Sequence, residues 1–474
     1  MVFRSPFYVP VIASCPSRRI DSCGFWATML DYGGRKLNEL RHLRGPPVSA
    51  RRITLMTPRT PHRRLLRRTE LIHEVTLYRE KGNKAPVALS YGEETLRRSQ
   101  TRLINRTTLT PEIDLKAYRC RALVDWIDIH FELSRRTQYW HLNDRIEKLT
   151  GRKEYPEALD FGDGKTATRY KLRVQEPDLE AVRKVFSDLE SAYGFVAPAS
   201  VSGIEISIDF YPEKPSEEAR ARMHGVLVRH FYPTTQVLRS SRMWPRFMPG
   251  SIKKTDYTIA RNEGDDSLDI GDRMTPGLDR PALYGSTYYV GERDNPRAFW
   301  RIQNKVLDKQ NKAAAIWDEL PDDKKRVRIE VTLGHEGCRE IGLGKFSDLE
   351  TLKITRLQKG FFQFMKPTFA IIRPASSRPG SAAVKQKVEE YQKQRFLNAG
   401  VLGLQIREDA KGELRALEMP KIRKWHRMSG SKAPPKVRAG AGAYGTMIAY
   451  EELTRMVERA LAGLQRKVRK EMGV

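Results

Sequence analysis

Cysteine is scarce in this chain: its 474 residues hold four, Cys15, Cys23, Cys120 and Cys338, widely spread and forming no CxxC pair. That scarcity excludes a disulfide framework and a zinc ribbon, and it fits a reducing cytoplasm. Long apolar runs are missing too. Charged residues interrupt each one well short of the roughly 18 to 20 positions that a membrane-spanning helix needs, so no membrane partner is expected. The opening MVFRSPFYVPVIASCPSRRI lacks both a basic segment ahead of a long apolar core and a small-residue cleavage site, and no secretion signal is read in it. GDGKT at Gly162 lacks the spacing of a phosphate-binding loop and reads as a hairpin turn, while HEGCRE at His335 is not HExxH. No ATPase or zinc protease is implied. The last shortage is acid: 58 Asp and Glu face 86 Lys and Arg, a net charge of +28, which points to a polyanionic partner and first to nucleic acid.

Hydrophobic residues make up 39% of the chain, with 18 Tyr, 17 Phe and 7 Trp, enough for a packed core and too many for wholesale disorder. Residues 1–115 show no sustained period and carry the arginine-dense run ARRITLMTPRTPHRRLLRR, so they read as a basic, disordered arm, either a DNA-binding extension or a tail solvated by its own charge. From Arg121 the pattern changes. RALVDWIDIHFEL alternates, with Leu123, Ile127, Ile129, Phe131 and Leu133 on one side and Trp126, Asp128, His130 and Glu132 on the other. ATRYKLRVQE, VSGIEISIDFYP, ALYGSTYYVGER and KRVRIEVTL read as further strands, and AFWRIQNKVLDK as a strand running into a helix. Helical spacing appears in YWHLNDRIEKLTG, LEAVRKVFSDLESAYGF and EEARARMHGVLVRHFY. Residues 243–281 look like a long loop. Residues 116–345 thus form an α+β domain with a largely antiparallel central sheet and flanking helices, followed by a helical extension over 346–428 that includes FFQFMKPTFAII, a flexible linker over 429–445 and a basic C-terminal helix over 446–474.

Three strands place acids opposite their apolar residues: Asp128 beside His130, Glu205 with Asp209, and Glu330 beside Arg328. Successive strand residues point to opposite faces, so Glu205, Ser207 and Asp209 line up while Ile204, Ile206, Ile208 and Phe210 face the core. Carboxylates suit a hard divalent cation such as Mg²⁺ or Mn²⁺, and the His130 imidazole is compatible with either. In so basic a protein, acids held near phosphate need a cation to reconcile the charges. The competing reading is a solvated sheet face whose acids pair with Arg and Lys. Asp125 falls on the apolar side by period and stands outside the set.

These segments resemble the replication initiation factors of plasmids and phages, of the Rep_trans type, which nick DNA for rolling-circle replication. The likeness is carried by Glu205 and Asp209 in VSGIEISIDF, by Gly291 and Arg293 in TYYVGER, by Arg301, Ile302, Gln303, Asn304 and Lys305, and by Arg328, Ile329 and Glu330. It spans about 210 residues, from Asp125 to Leu333. The resemblance implies a catalytic domain like that of rolling-circle initiators, a cytoplasmic protein acting on origin or single-stranded DNA, and a host replication helicase as a further partner. With the alternation above, the expected divalent-metal residues are Glu205, Asp209, Glu330, Asp128 and His130, and Arg293, Arg301, Lys305 and Arg328 are expected to bind DNA. The family's nucleophilic tyrosine position is Gln303 here, which cannot form a phosphotyrosine ester. Tyr289, Tyr288 or Tyr284 on the preceding strand must then serve, Tyr289 first, because Tyr288 shares a side with Val290. Alternatives are a non-catalytic origin- or operator-binding protein, and a metal-dependent nuclease that needs no tyrosine.

Overall fold

The computed structural model describes residues 50–52, 71–79, 86–97, 100–233, 243–248, 256–259, 279–311, 316–372, 379–431 and 447–474. In chain order the strands are β1 (Ala50–Arg52), β2 (Leu71–Leu77), β3 (Val87–Thr95), β4 (Arg106–Pro111), β5 (Tyr118–Gln138), β6 (Glu157–Ala158), β7 (Thr166–Gln175), β8 (Phe195–Pro212) and β9 (Phe231–Tyr232). They continue as β10 (Arg246–Met248), β11 (Asp256–Tyr257), β12 (Thr287–Val290), β13 (Ala298–Lys305), β14 (Leu307–Asn311), β15 (Ile316–Glu319), β16 (Arg326–Leu333), β17 (Gln363–Ala370) and β18 (Met447–Ala449). The helices are α1 (Tyr139–Thr150), α2 (Leu179–Tyr193), α3 (Glu217–His230), α4 (His335–Glu340), α5 (Leu357–Phe361), α6 (Pro379–Met428) and α7 (Glu451–Met472). Nine strands form one sheet in the order β11-β10-β12-β13-β16-β8-β5-β7-β6, and seven form another in which β1-β2-β3-β4-β17-β18 run side by side and β9 pairs with β17. Every pairing among the described residues is antiparallel. The chain is a mixed α/β protein with antiparallel sheets.

α3 explains how the two sheets share one core. Ser216 caps it, its Oγ accepting from the Ala219 N–H at 3.0 Å, and Glu217 and Glu218 favour its positive end. Nearly every residue from Arg220 to His230 is buried, because the helix touches β2 and β3 of one sheet and β8, β13 and β16 of the other. The apolar side chains facing it are those that alternation selects: Ile204, Ile206, Ile208 and Phe210 on β8, and Val327, Ile329, Val331 and Leu333 on β16, each at most 1% exposed. α7 contributes Leu453, Val457, Leu461 and Leu464 and lies against β5, so this helix, basic by composition, is held by its apolar stripe.

Several expectations need correction. Within the arm expected to be disordered, β2, β3 and β4 are paired strands, with Leu77, Leu89, Tyr91 and Leu109 buried. β4 has a second partner in β17, more than 250 residues further on, and no local pattern announces that pairing. The remainder of 1–115 lies mostly outside the described residues. β17 also interrupts the expected helical extension. QFMKPTFA is a strand, and its Pro367, which donates nothing, sits where the neighbouring strand changes from β18 to β4. The helix expected after AFWRIQNK is instead β14, paired with β15. Within the loop expected over 243–281, β10 and β11 are short sheet-edge strands; most of the rest, like most of the linker over 429–445, falls outside the described residues. The C-terminal helix begins at Glu451, the preceding Met447–Ala449 being β18. Gly162–Lys165 is a turn leading into β7, as read. Cys120 and Cys338 are free thiols, and no helix among the described residues is long and apolar enough to cross a membrane.

Candidate functional site

The face of the nine-stranded sheet turned away from α3 carries a charged network at its centre. Registration places Glu330 of β16 opposite Ser207 of β8 and Arg301 of β13, Arg328 opposite Asp209 and Gln303, and Thr332 opposite Glu205. Directly opposed residues share a face, so alternation on three neighbouring strands gathers these groups. Glu205, Asp209 and Glu330 therefore lie together on adjacent strands.

A fourth acid joins through an irregularity. Val124 pairs with Ile206 and Trp126 with Glu205, so β5 spends one residue more than β8, and that extra residue is Asp125. The bulge turns Asp125 toward the polar face, where its carboxylate accepts from Ser207 Oγ at 2.8 Å and from Arg328 Nη1 at 2.6 and 2.9 Å. It also reverses the parity of β5 before it: Ala122 belongs to the core, and Leu123 stands opposite Ser207 on the polar side, not in the apolar set that strict alternation gave it. Oxygens of Asp125, Glu205 and Glu330 all lie within 4.8 Å of one another, the geometry of a cation site.

The expected set differs from this one in three members. Asp209 is fully buried and saturated: Arg328 grips both its oxygens at 2.5 and 2.8 Å, Arg326 Nε lies at 2.8 Å, and the Tyr211 hydroxyl donates at 3.1 Å. Asp128 lies further along β5, bound by Arg173 through two contacts of 2.6 Å and by Lys171 at 3.2 Å. His130 stands opposite Lys171 and Ser200, outside the cluster, with burial and then Lys171 lowering its pKa. Arg173 stacks at 4.1 Å on Trp126, whose ring covers Gly203, where a Cβ would sit 3.2 Å from it.

The basic residues divide as sharply. Arg328, expected to touch DNA, is 1% exposed and holds Asp209 and Asp125 together; burial opposes its charge, but those acids and Glu330 outweigh it and raise its pKa. Arg301 is also committed, with Nη2 2.9 and 3.0 Å from the oxygens of Glu205. Lys305 is half-buried on the same face, its pKa lowered by burial and by Arg328 and Arg326. Arg293, just past the left-handed Gly291 that turns β12 into β13, is exposed.

Glu330 is the least satisfied acid. Its Oε1 accepts from Gln303 Nε2 at 2.9 Å, whereas Oε2 has only Arg301 Nε at 2.7 Å, an ion pair too poorly angled to be a hydrogen bond. Burial raises its pKa, Arg301 opposing and Glu205 reinforcing the shift. Four carboxylates, of Asp125, Glu205, Asp209 and Glu330, face the three guanidiniums of Arg301, Arg326 and Arg328, and Lys305 on the same face makes the count even. An all-oxygen donor set and a buried oxygen without a hydrogen bond fit a hard divalent cation.

Among the tyrosines, Tyr288 is fully buried on the core side, burial raising its pKa, and Tyr284 is buried with its hydroxyl donating to Glu217 at 2.8 Å. Tyr289 faces the polar side opposite Arg301, its ring stacked on Phe299 at 5.7 Å and half-exposed. Gln303 points at Glu330, so the position the resemblance gives to the nucleophile does face the cluster. No family model matches this chain, and no curated protein or solved structure matches it either.

Proposed function

We propose that this chain is a DNA-processing protein of the rolling-circle initiation kind, binding an origin or single strand and acting with a divalent cation. The observation that carries the reading is the convergence of Asp125, Glu205 and Glu330 on a face that also presents Tyr289 and Arg301 in register. The net charge of +28 supports a polyanionic partner, since each phosphate contact releases condensed counterions. Asp125, Glu205 and Glu330 would hold the cation, which supplies charge stabilisation at a phosphoryl oxygen. Arg301 orients Glu205 and Glu330. Attack by the Tyr289 hydroxyl forms an O–P bond to the 5′-phosphate; the phenolic proton passes to a carboxylate of the cluster, and the 3′-oxygen leaves and takes up a proton.

A second reading, a DNA-binding protein without strand transfer, is favoured by Gln303 in the nucleophile position and by the arginines that already pair with the acids. One experiment separates the two. The protein is incubated with Mn²⁺ and supercoiled or single-stranded DNA, then assayed for covalent protein–DNA adduct. Adduct lost in Tyr289→Phe and Glu330→Gln supports strand transfer, binding without adduct supports the second reading, and free nicked ends support a metal-dependent nuclease. Failure to bind DNA would overturn all three.

A further inference from the structure

α6 divides into two halves with opposite surroundings. Gly400 breaks it with φ 69°, and a Cβ there would lie 2.7 Å from Cα of Arg229, so the break is where α6 meets the end of α3. Around it Phe396, Leu397, Val401, Leu402, Leu404, Ile406 and Ala410 are all buried. Beyond Ala410 the helix runs for the 18 residues Lys411–Met428, about 27 Å at 1.5 Å per residue, and none of them is buried.

This projecting half has six Lys and Arg against two Glu, and from Lys421 to Met428 no acid at all. Arg423, Lys424 and Arg427 form no ion pair among the described residues. Basic residues complement the negative end of a helix, but that effect is confined to the last turn and does not account for Arg415 or Lys421. Among these cations Trp425 is 62% exposed, its ring edge-on to His426 at 4.9 Å. A helix with no buried residue gains little from its own hydrogen bonds in water, and a large aromatic set in unpaired positive charge has the two features that grip single-stranded nucleic acid: phosphate attraction and a face for a base.

We propose that Lys411–Met428 is a single-stranded DNA-binding arm, in which Arg415, Lys421, Arg423, Lys424 and Arg427 contact phosphates and Trp425 stacks on an unpaired base. The proposal shares with the functional reading above only the nature of the partner; it requires neither the cation cluster nor Tyr289.

The test is fluorescence anisotropy of the full chain with a labelled oligothymidylate, in EDTA, across a salt series. The combined variant Lys421→Gln, Arg423→Gln, Lys424→Gln and Arg427→Gln should weaken binding tenfold or more and flatten the slope of log affinity against log salt by about 3, at roughly 0.7 per phosphate contact. Trp425→Ala should weaken it about tenfold with the slope unchanged, and Trp425→Phe should restore most of the loss. Thermal unfolding should not change, because none of the substituted side chains is buried. Wild-type affinity and slope in the combined variant would overturn the proposal. So would a Trp425→Ala variant whose only defect, by sedimentation, is lost self-association. Retained binding by the arm with no adduct under Mn²⁺ would count against strand transfer alone.

Discussion

The two ends of the polar face have the same ingredients and different surroundings. At one end Arg328 and Asp209 are both sealed from water on central strands, every Asp209 oxygen is occupied, and Arg328 ties Asp209 to the bulged Asp125. At the other, Arg301 is about one-third exposed, and Glu330 retains an oxygen with no hydrogen bond. At Asp209, burial with full pairing makes a structural lock, costly to disturb and unable to release an oxygen, whereas Asp125, on the same arginine, is 14% exposed and borders the open end. Partial exposure makes a site that can exchange an arginine contact for a cation. A charged pair in a sheet is therefore read by the access of its members to water and by the count of their unsatisfied atoms, not by residue type.

Breaking the locked end should have the largest effect. Arg328→Met leaves the buried Asp209 and the half-buried Asp125 without their main partner and should cost about 3 to 5 kcal/mol in urea unfolding, enough to leave much of the protein unfolded. Glu330→Gln, at the open end, should fold normally but bind Mn²⁺ about 100-fold more weakly by calorimetry. The same residue sharpens the comparison through pH. Because the folded-state pKa of Glu330 is raised, its contribution to stability is present at low pH and lost as pH climbs from about 5 toward 8. Mn²⁺ affinity should rise over the same range, since the ligand must ionise, and Glu330→Gln should flatten both profiles. Gln303→Tyr returns a phenol to the position facing Glu330; adduct yield should rise above wild type under Mn²⁺, and an unchanged yield would show that geometry there does not favour attack. Asp128→Asn should have the smallest effect, about 1 kcal/mol or less, because Arg173 is nearly half-exposed, and cation affinity should stay the same.

Sequence alone determined the central strands and the side of each that carries charge: the alternation in VSGIEISIDF and RVRIEVTL is enough to put Glu205, Asp209, Arg328 and Glu330 opposite the isoleucines, and period-2 counting placed Tyr289 across from Tyr288. It also determined α1, α2 and α3, whose 3.6-residue spacing is local. What only the tertiary structure decided depends on partners distant in the chain. The pairing of β4 with β17 made strands of segments that read as disordered or helical, because strand identity there comes from a neighbour more than 250 residues away. The choice of acids was settled in the same way. Asp125 and Asp128 are the same residue type three positions apart, but a single extra residue, defined only by pairing with β8, brings Asp125 into the cluster, while Arg173 and Lys171 of β7 hold Asp128 outside it. Periodicity tells which face a side chain takes as long as the strand is regular; a bulge is a property of two strands together, and one strand's sequence does not contain it.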